Sequence, residues 1–225
     1  MKRRDFSALL ASAPVLGATG AASDALAQGG PIEGRNYSVL NPPLPTPPGK
    51  IEVVEFFWYG CPHCYAFEPA VEAWAKQLPA DVAFRKVHVA FRANVKIHQR
   101  MFYALEALGK EAAARPAIFN AMHQQGLGLE DSKAQAKFLA PLGIDPAKYQ
   151  DAYNSFGVVS KCTQAEKLSE AYRIDGVPSI GIAGRFLTSP SDAGKGLPQR
   201  LPELELGQKA LQITDFLIQR ARTKS

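Results

Sequence analysis

Between Ile51 and Trp58 the chain reads Ile-Glu-Val-Val-Glu-Phe-Phe-Trp, a β-branched and aromatic run whose length suits a strand covered on both faces. The period then changes. Cys64, Phe67, Val71, Trp74 and Leu78 stand three and four residues apart, which lines one face of a helix that starts near Cys61 and stops before Pro79. Pro69 falls inside it and removes one backbone hydrogen bond, so a kink between Tyr65 and Pro69 is expected. Val82 to Phe91 reads as a second strand. A long stretch of helical pattern follows, with spans predicted at Val95 to Leu108, Glu111 to Gln125, Asp131 to Leu142, Pro146 to Ser155 and Val158 to Arg173. Strand character returns at Val177 to Ala183 and Arg185 to Thr188, with Gly184 at the turn, and Leu206 to Arg222 fits a last helix. The order predicts an α/β fold: a small mixed sheet flanked by helices, residues 51–91 and 174–225, split in sequence by an inserted helical subdomain, residues 92–173.

The first 50 residues follow other rules. Lys2, Arg3 and Arg4 precede an apolar, Ala-rich stretch, and Ala25-Leu26-Ala27 is a small-x-small cleavage pattern, so residues 1–27 read as an export signal cut after Ala27. Arg3-Arg4-Asp5-Phe6 also resembles a twin-arginine signal, though Ser7 stands where that motif has Leu, and both export routes stay open. Pro14, Gly17 and Gly20 make the stretch a poor membrane anchor. Residues 28–50 hold Asn41-Pro42-Pro43-Leu44-Pro45-Thr46-Pro47-Pro48-Gly49, whose prolines cannot donate backbone hydrogen bonds, and read as an extended arm. The net charge of +5 falls to about +4 without the signal, which carries three basic and two acidic side chains. Such mild basicity, with no aromatic-interleaved basic block, gives nucleic-acid binding no support. An exported chain sits in an oxidising compartment, where disulfide chemistry is available.

Candidate chemistry concentrates in Cys61-Pro62-His63-Cys64. Zinc needs four ligands, yet Cys162 stands alone and His88, His98 and His123 lack ligand-pair spacing; haem attachment needs His at position 65, which is Tyr. A structural staple over so short a loop restrains the unfolded chain little. Redox chemistry fits better. A cysteine at a helix start faces unpaired backbone N–H groups and the positive end of the helix dipole, and Pro62 suits the first helical position. His63, when protonated, adds a cation. These features predict Cys61 as a solvent-facing thiol of lowered pKa and Cys64, in line with Phe67 and Val71, as its shielded partner.

The tetrapeptide after an aromatic strand, with Gly176-Val177-Pro178 opening a later strand, resembles the DsbA family of periplasmic thiol:disulfide oxidoreductases in the thioredoxin superfamily. Val54-Glu55-Phe56-Phe57, Tyr65-Ala66-Phe67-Glu68, Lys86-Val87-His88-Val89 and Tyr153-Asn154-Ser155-Phe156 agree with it, so the similarity covers residues 51–188 or so. The resemblance implies a thioredoxin-like core, a redox-active Cys61–Cys64 disulfide in place of any cofactor, and oxidation of reduced exported proteins. It also implies reoxidation by a DsbB-like membrane partner, a monomer, and a cis peptide before Pro178 that sets the backbone of Val177 beside Cys61, where an extended substrate segment could pair. Gly60 departs from the best-known members, which carry an aromatic residue there. A disulfide reductase or isomerase of the same superfamily, or a non-enzymatic peptide-binding module, are the alternatives; residues 28–50 are too few for the dimerisation domain that isomerases of this type carry.

Two charges look misplaced. Glu55 shares its strand face with Ile51, Val53 and Phe57, and Lys86 shares its face with Phe84 and His88, so both are expected among apolar neighbours, paired with each other or, for Glu55, protonated. The resemblance places a buried acid and lysine beneath the disulfide at these positions; Glu55 is expected to relay protons to or from Cys64, the alternative being a structural ion pair or exposure at the strand end. Cys162, beside Val158, Val159 and Ala165, is expected to be a small core residue.

Overall fold

The computed structural model describes residues 30–223, so the export signal expected over residues 1–27 lies outside the described residues. The strand predicted at Ile51 is β2 (Ile51–Phe57), and its apolar run is explained by its position inside the sheet, where Val53, Val54, Phe56 and Phe57 are fully buried. The sheet has the order β1-β5-β4-β2-β3, with β1 (Ser38–Val39), β3 (Val82–His88), β4 (Ser179–Ile182) and β5 (Phe186–Thr188). β2 pairs in parallel with β3 and antiparallel with β4; β4 with β5 and β5 with β1 are antiparallel. The parallel pair is joined through helix α1 (Pro62–Ala75), as a parallel connection requires. The predicted mixed sheet flanked by helices is the observed architecture.

Between β3 and β4 the chain forms α2 (Lys96–Ala107), α3 (Glu111–His123), α4 (Ser132–Leu139), α5 (Pro146–Asn154) and α6 (Phe156–Ala171). Their starts are written in short polar side chains. Asp131 accepts from the N–H groups of Lys133 and Ala134, Asp145 accepts from Lys148 with Pro146 following it, and Ser155 both ends α5 and caps α6 through Val158. After β5 come α7 (Pro190–Ala193) and α8 (Glu203–Arg222), the latter with acids in its first turn and Arg220 and Arg222 in its last, the arrangement its dipole favours.

One buried cluster joins Val54, Phe56 and Phe57 of β2 to Met101, Leu105 and Phe119 of the helical block. A second packs Val53, Ile180, Ile182 and Phe186 of the sheet against Phe67 and Val71 of α1 and Leu211 and Leu217 of α8. The sheet is therefore covered on both faces.

Several expectations need correction. The arm is not only a lead-in: Ser38 and Val39 pair with Leu187 and Phe186, and Tyr37 is buried edge-on against Phe186 with its hydroxyl accepting from Arg220. A two-residue strand has no period to read, and only its partner far along the chain creates it. Helix α1 runs past Pro69 but ends at Ala75, so Leu78 packs on the core from beyond the helix. β3 stops at His88, and β4 covers only Ser179–Ile182 because Ala183 and Gly184, at φ 53° and 63°, already form the turn. α7 was not foreseen, and α8 begins three residues before Leu206. Cys162 is only partly buried, at the margin of the larger cluster, and Val159 points outward at 41% exposure while Val158 and Ala165 are buried.

Candidate active site

A helix that begins with Pro needs its cap from the residue before, and here that residue is Cys61. Its backbone is extended and its Sγ accepts from the N–H of Cys64 at 3.4 Å. The Cys61 thiol donates to the carbonyl of Val177 at 3.4 Å, and the peptide between Val177 and Pro178 is cis. Together these contacts leave Cys61 only 6% exposed, which corrects the expected solvent-facing sulfur; Cys64 is fully buried. The Val177 segment, brought in from 116 residues away, is what covers it.

The two thiols are pushed apart electrostatically. For Cys61 the hydrogen bond from the Cys64 thiol, then the N–H groups of Cys64 and His63 and the His63 charge, outweigh burial and bring the pKa down to about 6. The first-turn donors contribute as the sequence indicated, but the partner thiol comes first. Burial, reinforced by the Cys61 sulfur, pushes Cys64 well above the ordinary thiol value, and the negative charge of Glu55 adds to it. His63 lies on the surface with its Nδ1 against the carboxylate of Glu203, a contact that raises its pKa.

Beneath the thiols lies a network of charges. Lys86 Nζ donates to Glu55 at 2.5 Å and to Glu68 at 2.9 Å, with Phe57 and Phe84 rings 5.6 Å away. Arg115 of α3 donates to Glu68 at 3.0 Å, to Glu72 at 2.6 Å and through two nitrogens to Glu111, and Glu111 accepts from the Tyr59 hydroxyl at 2.8 Å. Burial raises Glu55 to about 6 against the opposing pull of Lys86. Burial pulls Lys86 down, but Glu55 and Glu68 outweigh it and hold it a cation. Glu55 Oε1 is buried without a hydrogen-bond partner among the described residues. The sequence singled out Glu55 and Lys86 as charges inside apolar strands; Arg115, Glu72 and Glu111 gave no such signal, because on helices they read as an ordinary polar face.

Three histidines hold the turn that leads into Cys61. His88 accepts from the Tyr59 N–H at 3.3 Å and donates to the Val89 carbonyl, and its burial holds its pKa well below the usual range, so it is neutral. His123 donates to the Tyr59 carbonyl at 2.7 Å and stacks on Tyr65 at 4.8 Å. His98 accepts from the Trp58 indole and donates to the Gly128 carbonyl. Gly60 fits here because a Cβ would lie 2.4 Å from the Trp58 ring, which already fills the space beside the site. Among the described residues, no group of three Cys, His, Asp or Glu side chains is arranged to hold a metal ion.

A cavity of about 890 Å³ opens against His63, close to Cys61 in sequence, and Val177, in contact with it. His63, Val177, Pro178 and Leu206 line it, with Asp175, Asp192, Lys195, Arg200 and Glu203 around it. A second of about 600 Å³ lies past Gly60, against Trp58, Met122 and Leu127. The site thus holds one acidic thiol and one shielded thiol just behind Val177, which lines the cleft, an arrangement suited to disulfide exchange.

Residues 52–201 match the model of the DSBA-like thioredoxin domain family. The thiol:disulfide interchange protein DsbA of Burkholderia cepacia is 43% identical over 196 residues, covering 86% of this chain and 87% of that protein. DsbA of Azotobacter vinelandii is 41% identical over 224 residues, 99% of both chains. The crystal structure of Pseudomonas aeruginosa DsbA superposes with a TM-score of 0.78 at 38% identity, over 85% of this chain and 95% of that one. Sequence, topology and the paired thiols agree, and the chain belongs to the DsbA family of the thioredoxin fold.

Proposed function

We propose that this protein is a thiol:disulfide oxidase that introduces disulfide bonds into exported proteins through Cys61 and Cys64. The observation that carries the reading is the pairing of a thiol that ionises at about 6 with one pushed well above 9. A substrate thiolate attacks Cys61 of the oxidised enzyme. The Cys61–Cys64 bond breaks, its electron pair goes to Cys64, and Cys64 takes up a proton, leaving Cys61 in a mixed disulfide with the substrate. A second substrate thiolate attacks the substrate sulfur, and Cys61 departs as the thiolate that its surroundings favour. The substrate has lost two electrons and gained a disulfide, and the enzyme is left as a dithiol.

In this reading Glu55, with a free oxygen and a charge felt by Cys64, passes the proton, and Lys86 with Glu68 and the half-exposed Glu72 connects it to solvent. Val177 and Pro178 offer the backbone edge on which an extended substrate lies. The helices of residues 92–173 act as an inserted subdomain on a core of residues 51–91 and 174–225. The protein works as a periplasmic monomer after loss of residues 1–27, and a DsbB-like membrane protein takes its electrons. Among the described residues no helix is long and apolar enough to cross a membrane. Incubation of the oxidised protein with a reduced, unfolded test protein tests the direction: disulfides form in stoichiometric amounts, and Cys61→Ser abolishes the reaction. Rapid reduction of insulin without oxidation of the test protein would reverse the assignment.

A further inference from the structure

His63 lies in the first turn of α1, 69% exposed at its side chain, and Glu203 opens α8, 47% exposed, yet the two side chains meet across 140 residues of sequence. Packing does not force the meeting, since neither side chain is buried. Stability does not explain it either, because exposed ion pairs contribute little. What the contact does is local. Both residues line the cavity that Val177, the neighbour of Cys61, also lines, and their contact joins the first turns of α1 and α8, where negative charge is favoured.

We propose that Glu203 is a positioning residue for the redox site: its carboxylate captures the His63 ring at the cavity rim and fixes the charge that faces Cys61. This rests on Cys61 being the exchanging sulfur. An uncaptured surface histidine loses its proton close to neutral pH, so its help to the neighbouring thiolate fades where a periplasmic oxidase would operate. The other charges around the ring are accounted for. The Cys61 sulfur favours the imidazolium, and Arg200, on the segment leading into α8, opposes it. Asp175 before β4, and Asp192 and Lys195 around the end of α7, line the same cavity; Lys195 is paired with Asp192, which leaves the charge of Asp175. Glu203 also carries a negative charge that opposes the thiolate directly. Its net benefit therefore depends on pH: small or adverse where His63 is protonated in any case, favourable where only the captured ring keeps its proton.

The test compares wild type with Glu203→Gln. In oxidised protein, which has no thiolate, NMR titration of the His63 ring should give a lower midpoint in the variant. The equilibrium constant for exchange with glutathione should then be measured for both from pH 5.5 to 8.5; the ratio of wild type to variant cancels the chemistry of glutathione itself. The ratio should rise about two- to fivefold between pH 6 and 8, the scale of one exposed charge pair. In a His63→Asn background it should be flat. Equal His63 midpoints would overturn the capture, and a lowered midpoint with a flat ratio would overturn its effect on Cys61. Failure of the wild type to exchange with glutathione at all would overturn the oxidase reading, while the His63 titration would still report on the contact.

Discussion

A thiol that ionises at about 6 is about nine-tenths thiolate at pH 7, whereas one pushed well above 9 is almost wholly protonated. The asymmetry between Cys61 and Cys64 comes from three residues of helix: one sulfur caps the first turn, the other is carried inward by it. The charges below have their own asymmetry. Lys86 and Arg115 serve four carboxylates, those of Glu55, Glu68, Glu72 and Glu111, and Lys86 is the one that reaches Glu55. Removing it leaves a buried acid uncompensated. Lys86→Met should therefore destabilise the fold by about 3 kcal/mol or more at pH 7. Adding Glu55→Gln should recover most of the loss, as urea unfolding of the three variants would show. A loss in the double variant equal to that in the single one would place the role of Lys86 elsewhere. At this scale the sequence was informative where a residue broke its pattern, as Glu55 and Lys86 do within apolar strands. It was silent where a residue kept its pattern: Arg115 on a helix, Glu203 at a helix start and His123 near a helix end become part of the site only through tertiary contact.

The elements divide by how local their causes are. α1 was legible because its Cys-Pro start and three-four spacing lie within a few residues; α4 and α5 were legible at their starts near Asp131 and Pro146, whereas α6 begins at Phe156, two residues before the expected Val158, because Ser155 caps it. β4 was legible as a strand but not in its limits, which follow from the turn at Ala183 and Gly184. This short strand carries the Val177 segment to Cys61, and its own position depends on a missing side chain. A Cβ on Gly181 would lie 2.4 Å from the ring of Tyr172, which is buried, packed on Phe56 at 5.2 Å, and tied by its hydroxyl to the Gly184 N–H at 3.1 Å. With the ring fixed at both ends, Gly181→Ala should cost about 1–3 kcal/mol in thermal or urea unfolding. If Val177 is the substrate edge proposed above, it should also slow oxidation of a protein substrate more than exchange with glutathione, because the displaced strand carries the Val177 segment. Equal slowing of both reactions would show that β4 does not set the substrate edge.

For the whole molecule, the driving force for oxidising a substrate is the difference in stability between its dithiol and disulfide forms, and pH sets part of it. Cys61 is an acid whose pKa in the folded, reduced protein is depressed from near 9 to about 6. Its thiolate therefore adds stability that is complete above pH 9 and is lost as pH falls through 6, on the order of 1 kcal/mol at pH 7. The oxidised form has no such thiol. Unfolding curves of the two forms should converge in this respect from pH 8 to pH 5, with the reduced form losing the more, and Cys61→Ser, which forms no disulfide, should lack this pH-dependent loss when compared with the reduced wild type. The closing strand of the sheet has a consequence for how the molecule comes into being. β1 finds its partner in β5, some 150 residues later, and Tyr37 finds its cover in Phe186 and Arg220. A polypeptide made from its N-terminus must wait with this leading strand unpaired until nearly all of it has emerged, and any fragment ending short of Phe186 lacks the partner that completes the sheet.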